Sequence, residues 1–116
     1  MNDHDTPTLS AITFDCDDAA ALAGFWSTLL RRPVGEGASR DYASIAGPPA
    51  WAFLRVPEGK VAKNRVHPDL DVADLGAAVD RAIALGAKHV ADVEEDGTRW
   101  TTLVDPEGNE FDLVQV

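Results

Sequence analysis

Four aspartates and one histidine at alternating positions are the side chains of this chain best placed to do chemistry. His67, Asp69 and Asp71 stand two apart, Asp15 ends a similar alternation near the start, and Asp112 lies in the closing run Glu110-Phe111-Asp112-Leu113-Val114. In extended chain, residues two apart share a face. His67, Asp69 and Asp71 therefore project together, opposite Leu70 and Val72, while Ala11, Thr13 and Asp15 project opposite Ile12, Phe14 and Cys16. An imidazole exchanges a proton near neutral pH, and a carboxylate can orient it for that purpose. His67 with Asp112 thus suits an isomerase, epimerase or lyase; the alternative is a histidine that merely satisfies a neighbour at a strand edge. Arg65, two residues earlier, can clamp a carboxylate or phosphate bidentately, or it can form an exposed ion pair.

Aromatic residues either fill a core or grip a ligand. Trp26 follows Phe25 on an apolar helical stripe and is expected in the core. Tyr42, Trp51 and Trp100 are candidates for a stacking surface around a flat ligand, with packing as the alternative. Cys16 is the only cysteine, so no intramolecular disulfide can form; it should be buried and inert. Other chemistries lack their motifs. Gly35, Gly37 and Gly47 make no dinucleotide or phosphate loop, and neither a serine elbow nor a cysteine pair with metal spacing occurs.

Stepping outward, one turn and one repeat position these groups. Asp105-Pro106-Glu107-Gly108-Asn109 combines a preset φ at proline with residues that tolerate positive φ, so the chain reverses into the last strand. Ile12 to Asp18 recurs as Pro68 to Asp74, an offset of 56 that also matches Leu29 with Leu85 and Val34 with Val90. Each half opens with a strand and then a helix. Asp17 or Asp18 caps a helix from about Ala19 to Leu30, with Leu22, Phe25, Trp26, Leu29 and Leu30 on one face and Pro33 as the stop. Asp74 caps a second from about Leu75 to Leu85, with Leu75, Ala78, Val79, Ala82 and Ile83 inward and Gly86 at its end. Short strands follow at Tyr42 to Ile45, Ala52 to Val56, His89 to Glu94, Thr98 to Val104 and Glu110 to Gln115. Gly59 to Asn64 lacks apolar periodicity and reads as the linker, and Gly35 to Ser39 as a flexible loop.

The chain has 116 residues, enough for one compact domain, and a formal charge of −10 from 20 acidic against 10 basic residues. That field repels phosphate backbones and anionic bilayers, so neither nucleic acid nor membrane is an expected partner. No apolar run approaches the roughly 20 residues of a membrane-spanning helix. With no basic region and apolar run at the start, a cytoplasmic protein is expected. Met1 to Pro7 is polar and expected to be loose.

The closing hairpin, together with Val56-Pro57-Glu58-Gly59-Lys60 and Asn64-Arg65-Val66-His67-Pro68-Asp69-Leu70, resembles the glyoxalase, bleomycin-resistance and extradiol-dioxygenase superfamily, the vicinal oxygen chelate proteins, and within it the glyoxalase-like subgroup. The resemblance implies an α+β fold of two βαβββ modules in tandem, about 8–58 and 65–116, with curved mixed sheets around a shared cleft, and a homodimer. It also implies a metal site with one ligand from the opening strand and one from a late strand of each module. Carried over, those positions are Ala11, Leu54 within one place, His67 and Asp112, an incomplete set in which only His67 and Asp112 can hold a metal. Asp112 is a methylene shorter than the usual Glu; Asp69 or Asp15 can supply a further oxygen. The expected cleft is therefore metal-free, with a divalent ion as the alternative.

Two functions follow from the resemblance. One is a glyoxalase-like lyase or isomerase acting on a small oxygenated metabolite through His67 and Asp112, with Asp15, Arg65, Asp69, Tyr42, Trp51 and Trp100 around the ligand; glyoxalase I activity itself is not expected. The other is a sequestering resistance protein of the bleomycin-binding type, whose acidic, aromatic cleft holds a cationic drug without changing it.

Overall fold

Asp18 and Asp74, 56 residues apart, adopt the same extended backbone (φ −135°, ψ 98° and φ −134°, ψ 98°), and each carboxylate accepts the N–H of the residue three further on, Ala21 and Ala77. These caps open the two helices of an α+β chain. The computed structural model describes residues 6–116, so the first five residues of the polar start lie outside the described ones. The chain forms two compact units, Met1–Pro57 and Glu58–Val116.

In the first unit β1 (Ala11–Cys16) leads into α1 (Ala19–Leu30), then β2 (Tyr42–Ile45) and β3 (Ala50–Arg55). The sheet order is β1-β3-β2, with β1 parallel and β2 antiparallel to β3. Where a further strand of a βαβββ module would stand there is a single bridge, Val34 to Ile45. Helix α1 stops one turn before the proline expected to end it, because Arg31 takes the left-handed conformation (φ 55°) and its N–H returns to Ser27 and Thr28 carbonyls.

One face of this sheet packs under α1 through aromatic residues. Phe14 stacks on Trp51 at 5.6 Å between ring centroids with planes 18° apart, and Trp26 approaches Trp51 at 4.9 Å. Phe25 meets Trp26 edge-on and Phe53 completes the cluster against Phe14. Full burial of each such side chain contributes about 1.5–3 kcal/mol. Cys16 is buried here and forms no disulfide.

The second unit runs β4 (Asp69–Val72), α2 (Leu75–Leu85), β5 (Lys88–Glu95), β6 (Thr98–Val104) and β7 (Glu110–Gln115), in the order β4-β7-β6-β5. Its core is mainly aliphatic, with one aromatic ring: Leu75, Ala82, Leu103, Leu113 and Phe111 are buried. Ile83, expected inward, is instead 44% exposed; α2 packs on the sheet through Leu75 and Ala82, and one residue past Ala82 the helix has rotated its side chain outward. The side chain of Gln115 on β7 accepts the N–H of Leu75 at 2.9 Å and donates to the carbonyl of Ala73 at 2.7 Å, so the last strand fastens the start of α2.

The turn into β7 is organised by Asp105, which is 2% exposed. Its carboxylate accepts the backbone N–H groups of Glu107 (2.9 Å) and Asn109 (3.0 Å) and the side-chain amide of Asn109, while Gly108 N–H reaches its carbonyl. Gly108 has φ 86°, which a side chain would strain.

Removing the buried Asp105 carboxylate leaves these partly buried donors without their acceptor, so Asp105→Ala should cost about 2–4 kcal/mol of stability. Urea unfolding of the two proteins checks this; a difference below about 0.5 kcal/mol, the range of ordinary surface substitutions, would refute the role given to the turn.

Candidate functional site

Parallel pairing of β4 with β7 sets Asp69 opposite Asp112, and antiparallel pairing of β7 with β6 sets Asp112 opposite Thr102. Directly paired residues share a face of the sheet. Asp69, Asp112 and Thr102 therefore form one row on the face opposite α2, and Asp71, Val114, Trp100 and Val93 form the next. His67 stands two residues before β4 and joins the first row: its Nδ1 lies 2.8 Å from Asp69 Oδ1 and 3.6 Å from Asp112 Oδ2.

The other oxygen of Asp112 accepts the Thr102 hydroxyl at 2.5 Å. Thr102 thereby fixes the carboxylate with one oxygen toward the imidazole. An ionised carboxylate only accepts, so this contact needs the hydrogen on Nδ1; in the neutral ring that tautomer leaves the lone pair on Nε2. His67 and Asp69 are half exposed (44% and 57%), whereas Asp112 is 15% exposed. Water therefore reaches the imidazole, while the carboxylate behind it is largely shielded.

The remaining expected site residues divide between faces. Trp100 shares the open face of the second sheet and is partly buried, and Arg65 is exposed on the segment just before His67. In the first unit, register places Asp15, Leu54 and Tyr42 in one row on the face away from α1. Trp51 is a correction: expected as a ligand-stacking candidate, it pairs with Ile12, faces α1 and is buried against Phe14 and Trp26. The strand begins at Ala50, and alternation from that point turns Trp51 and Phe53 to the core. A groove of about 520 Å³ opens between α2 and the β5–β6 pair, its lining including Leu75, Val79, Asp92, Val93, Arg99 and Trp100; His67, Asp69 and Asp112 do not line it.

A second correction concerns metal ligands. The repeat aligns Thr13 with Asp69, and the ladders pair Thr13 with Ala52 and Asp69 with Asp112. Ala52, rather than Leu54, is thus the counterpart of Asp112. Neither it nor Ala11, the counterpart of His67, offers a donor. The donors present are one imidazole and two carboxylates of the second unit, with ligand atoms within 4.8 Å of one another. The imidazole nitrogen facing those carboxylates is already spent on Asp69. The side chains therefore do not fit a four-ligand site divided between two repeats.

Residues with no sequence signal complete the site. Glu110, on the face of Asp112 and two residues before it, accepts the backbone N–H of Asn64 at 2.8 Å and pairs with Lys60 at 3.2 Å. Both ends of the segment expected to be the linker, Lys60 and Asn64, are thus tied to β7. Burial acts to raise the Glu110 carboxyl, but the backbone N–H groups of Asn64 and of Glu110 itself, together with Lys60, outweigh it and hold the group below the usual glutamate range.

With this geometry described, its relatives can be stated. The model of the glyoxalase-like domain family matches residues 11–114, so the chain belongs to that family. Solved structures of similar fold include a glyoxalase/bleomycin resistance protein/dioxygenase family enzyme from Burkholderia phytofirmans PsJN, at 20% identity and TM-score 0.80 over 95% of this chain and 99% of that one. The bleomycin-binding protein of Streptomyces verticillus, complexed with copper(II)-bleomycin, shares 19% identity at TM-score 0.65, covering 96% and 98%. A fosfomycin resistance protein from Mesorhizobium loti shares 15% identity at TM-score 0.75, covering 96% and 93%. At these identities the likeness is one of fold, here that of the vicinal oxygen chelate proteins. No curated protein matches significantly. Among the described residues no helix is long and apolar enough to cross a membrane.

Because the folded-state pKa of Glu110 is depressed, its stabilising contribution is present above the unfolded glutamate value and lost as pH falls through the lower folded value. In a carboxyl ¹³C titration Glu110 should titrate below the other glutamates, and Lys60→Met should move it upward. An unshifted Glu110 would refute the clamp.

Proposed function

We propose that this protein binds a small oxygenated molecule on the open face of its second sheet and moves a proton on it through His67. The observation that carries this reading is the contact of His67 Nδ1 with Asp69 at 2.8 Å, which directs the other ring nitrogen to the ligand. Nε2 takes a proton from a carbon beside a carbonyl, and the imidazolium so formed is stabilised by Asp69 and by Asp112, itself held by Thr102. Returning the proton to a neighbouring atom of the enolate completes an isomerisation, returning it to the opposite face of the same carbon an epimerisation, and loss of a leaving group instead gives a lyase. Arg65 is assigned to an anionic group of the ligand, and Trp100 with Val93 and Val114 to its apolar part. No metal takes part in these steps, because the donor set lacks counterparts at Ala11 and Ala52. A homodimer in the cytoplasm belongs to the same reading.

A second reading has its own observation. Trp100 shares one face with Asp69, Asp71 and Asp112, an aromatic surface beside carboxylates that suits a flat cationic ligand held by stacking and charge. Sequestration of a drug would then replace catalysis; the Streptomyces verticillus relative is by its name a bleomycin-binding protein.

His67→Ala should lower turnover of an active compound from a panel of hydroxy and keto acids by about 10²-fold or more, with the melting temperature nearly unchanged. A large stability loss with intact turnover would make His67 structural. In a fluorescence titration with flat cationic drugs, quenching that disappears in Trp100→Leu would favour sequestration.

Elemental analysis of untagged protein, purified without chelators and offered Ni, Zn, Mn and Fe, should find far less than one ion per chain. One ion per chain, lost in both His67→Ala and Asp112→Ala, would overturn the metal-free reading.

A further inference from the structure

His67 lies on a stretch of chain tied at both ends to the same strand. At one end the carbonyl of Pro68 accepts the N–H of Asp112 at 3.0 Å. At the other, the Glu110 carboxylate accepts the backbone N–H of Asn64 at 2.8 Å. With its amide turned so that the nitrogen faces the carboxylate, the Asn64 side chain also donates to Glu110 Oε2 at 2.7 Å and accepts the Glu110 N–H at 3.2 Å. A side-chain amide here takes the place of a peptide group, extending the edge of β7 before β4 has begun. Lys60 adds a third tie, its ammonium 3.2 Å from Glu110 Oε1 and donating as well to the carbonyl of Ala62. Its aliphatic stem runs past Gly108 in the turn.

Two anchors two residues apart on β7 thus hold Asn64 and Pro68, leaving only Arg65, Val66 and His67 between them. These three are exposed, and Val66 is 79% exposed; side-chain packing does not hold them in place. What limits their backbone is the pair of anchors. Freeing the Asn64 end would multiply the conformations open to the arch, and His67 would keep its carboxylate contacts only part of the time. The tie is sheltered enough to matter: the Glu110 and Lys60 side chains are 15% and 29% exposed, so solvent screens their attraction less than at the open surface.

We propose that Glu110 is the positioning residue of this site: by gripping Asn64 and Lys60 it closes the arch that carries Arg65 and His67 and so fixes the imidazole against Asp69 and Asp112. It does this without touching the ligand. The functional consequence rests on the reading of His67 as the proton-transferring group; the positioning itself does not.

The test follows the His67 ring nitrogens by ¹⁵N NMR, and the Asn64 amide by hydrogen exchange, in Glu110→Ala, Glu110→Gln and Lys60→Met. Glu110→Ala should lower protection of the Asn64 amide about tenfold or more and bring the His67 nitrogens toward the averaged shifts of a free imidazole. Glu110→Gln, which keeps an oxygen for the Asn64 N–H, should retain the native His67 signature. Lys60→Met leaves β7 intact and should give an intermediate exchange rate even if Glu110→Ala folds poorly. Native His67 shifts in both Glu110→Ala and Lys60→Met would overturn the proposal. If the shifts change as expected while His67→Ala has no effect on any ligand, positioning stands and the catalytic reading of His67 fails.

Discussion

The register of β7 is the constraint on which the second unit depends. Strand β4 reads its position from β7, β6 pairs with it from the other side, Gln115 fastens the start of α2, and Glu110 and Asp112 carry the anchors of the His67 arch. Side chains alternate along a strand, so a slip of one residue would exchange Phe111 and Leu113 with Glu110 and Asp112. Core and site would be lost together. Asp105 guards against this slip, since its buried carboxylate closes the turn only when Asn109 stands where it does.

The two units solve the same topology by different chemistry. In the first, α1 lies on a cluster of Phe14, Trp26, Trp51 and Phe53, and large rings supply the burial that a three-stranded sheet otherwise lacks. The second has a fourth strand and needs fewer rings; the tie of Gln115 to the start of α2 and the turn closed by Asp105 supply the precision that tight aromatic packing supplies in the first. A precise polar frame is what an imidazole held between two carboxylates requires.

What was legible in the sequence was local. Helix caps at Asp18 and Asp74 follow from side-chain oxygens beside helical runs, and the alternation around His67, Asp69 and Asp112 identified one face of the sheet before any pairing was known. What was hidden depends on pairing between distant residues. Thr102 meets Asp112, and Asn64 meets Glu110 across 46 positions, contacts that no periodicity encodes. The face of Trp51 turned on where β3 begins, a boundary that Pro48-Pro49 blurs. The counterpart of Asp112 was read one alternation too far, at Leu54 rather than Ala52, because the last strands of the two units lie 60 residues apart while the first strands keep the repeat of 56.

That pairing-corrected correspondence bears on how the site works. Position for position, Ala11 answers to His67, Thr13 to Asp69, Asp15 to Asp71 and Ala52 to Asp112. Asp15 keeps its charge, but the three positions that answer to the imidazole and its two carboxylates carry an alanine, a threonine and a second alanine. A site that shares one metal evenly between the repeats needs donors in both, and this chain has placed its donors in one. A proton-transferring group has no such need, since a single imidazole with a fixed tautomer suffices once carboxylates stabilise its charged form. On the proposed reading of His67, the absence of such donors at Ala11 and Ala52 and the support of the second unit, by Thr102 behind Asp112 and Glu110 behind the arch, fit together: a proton-transferring imidazole needs one well-held frame rather than two.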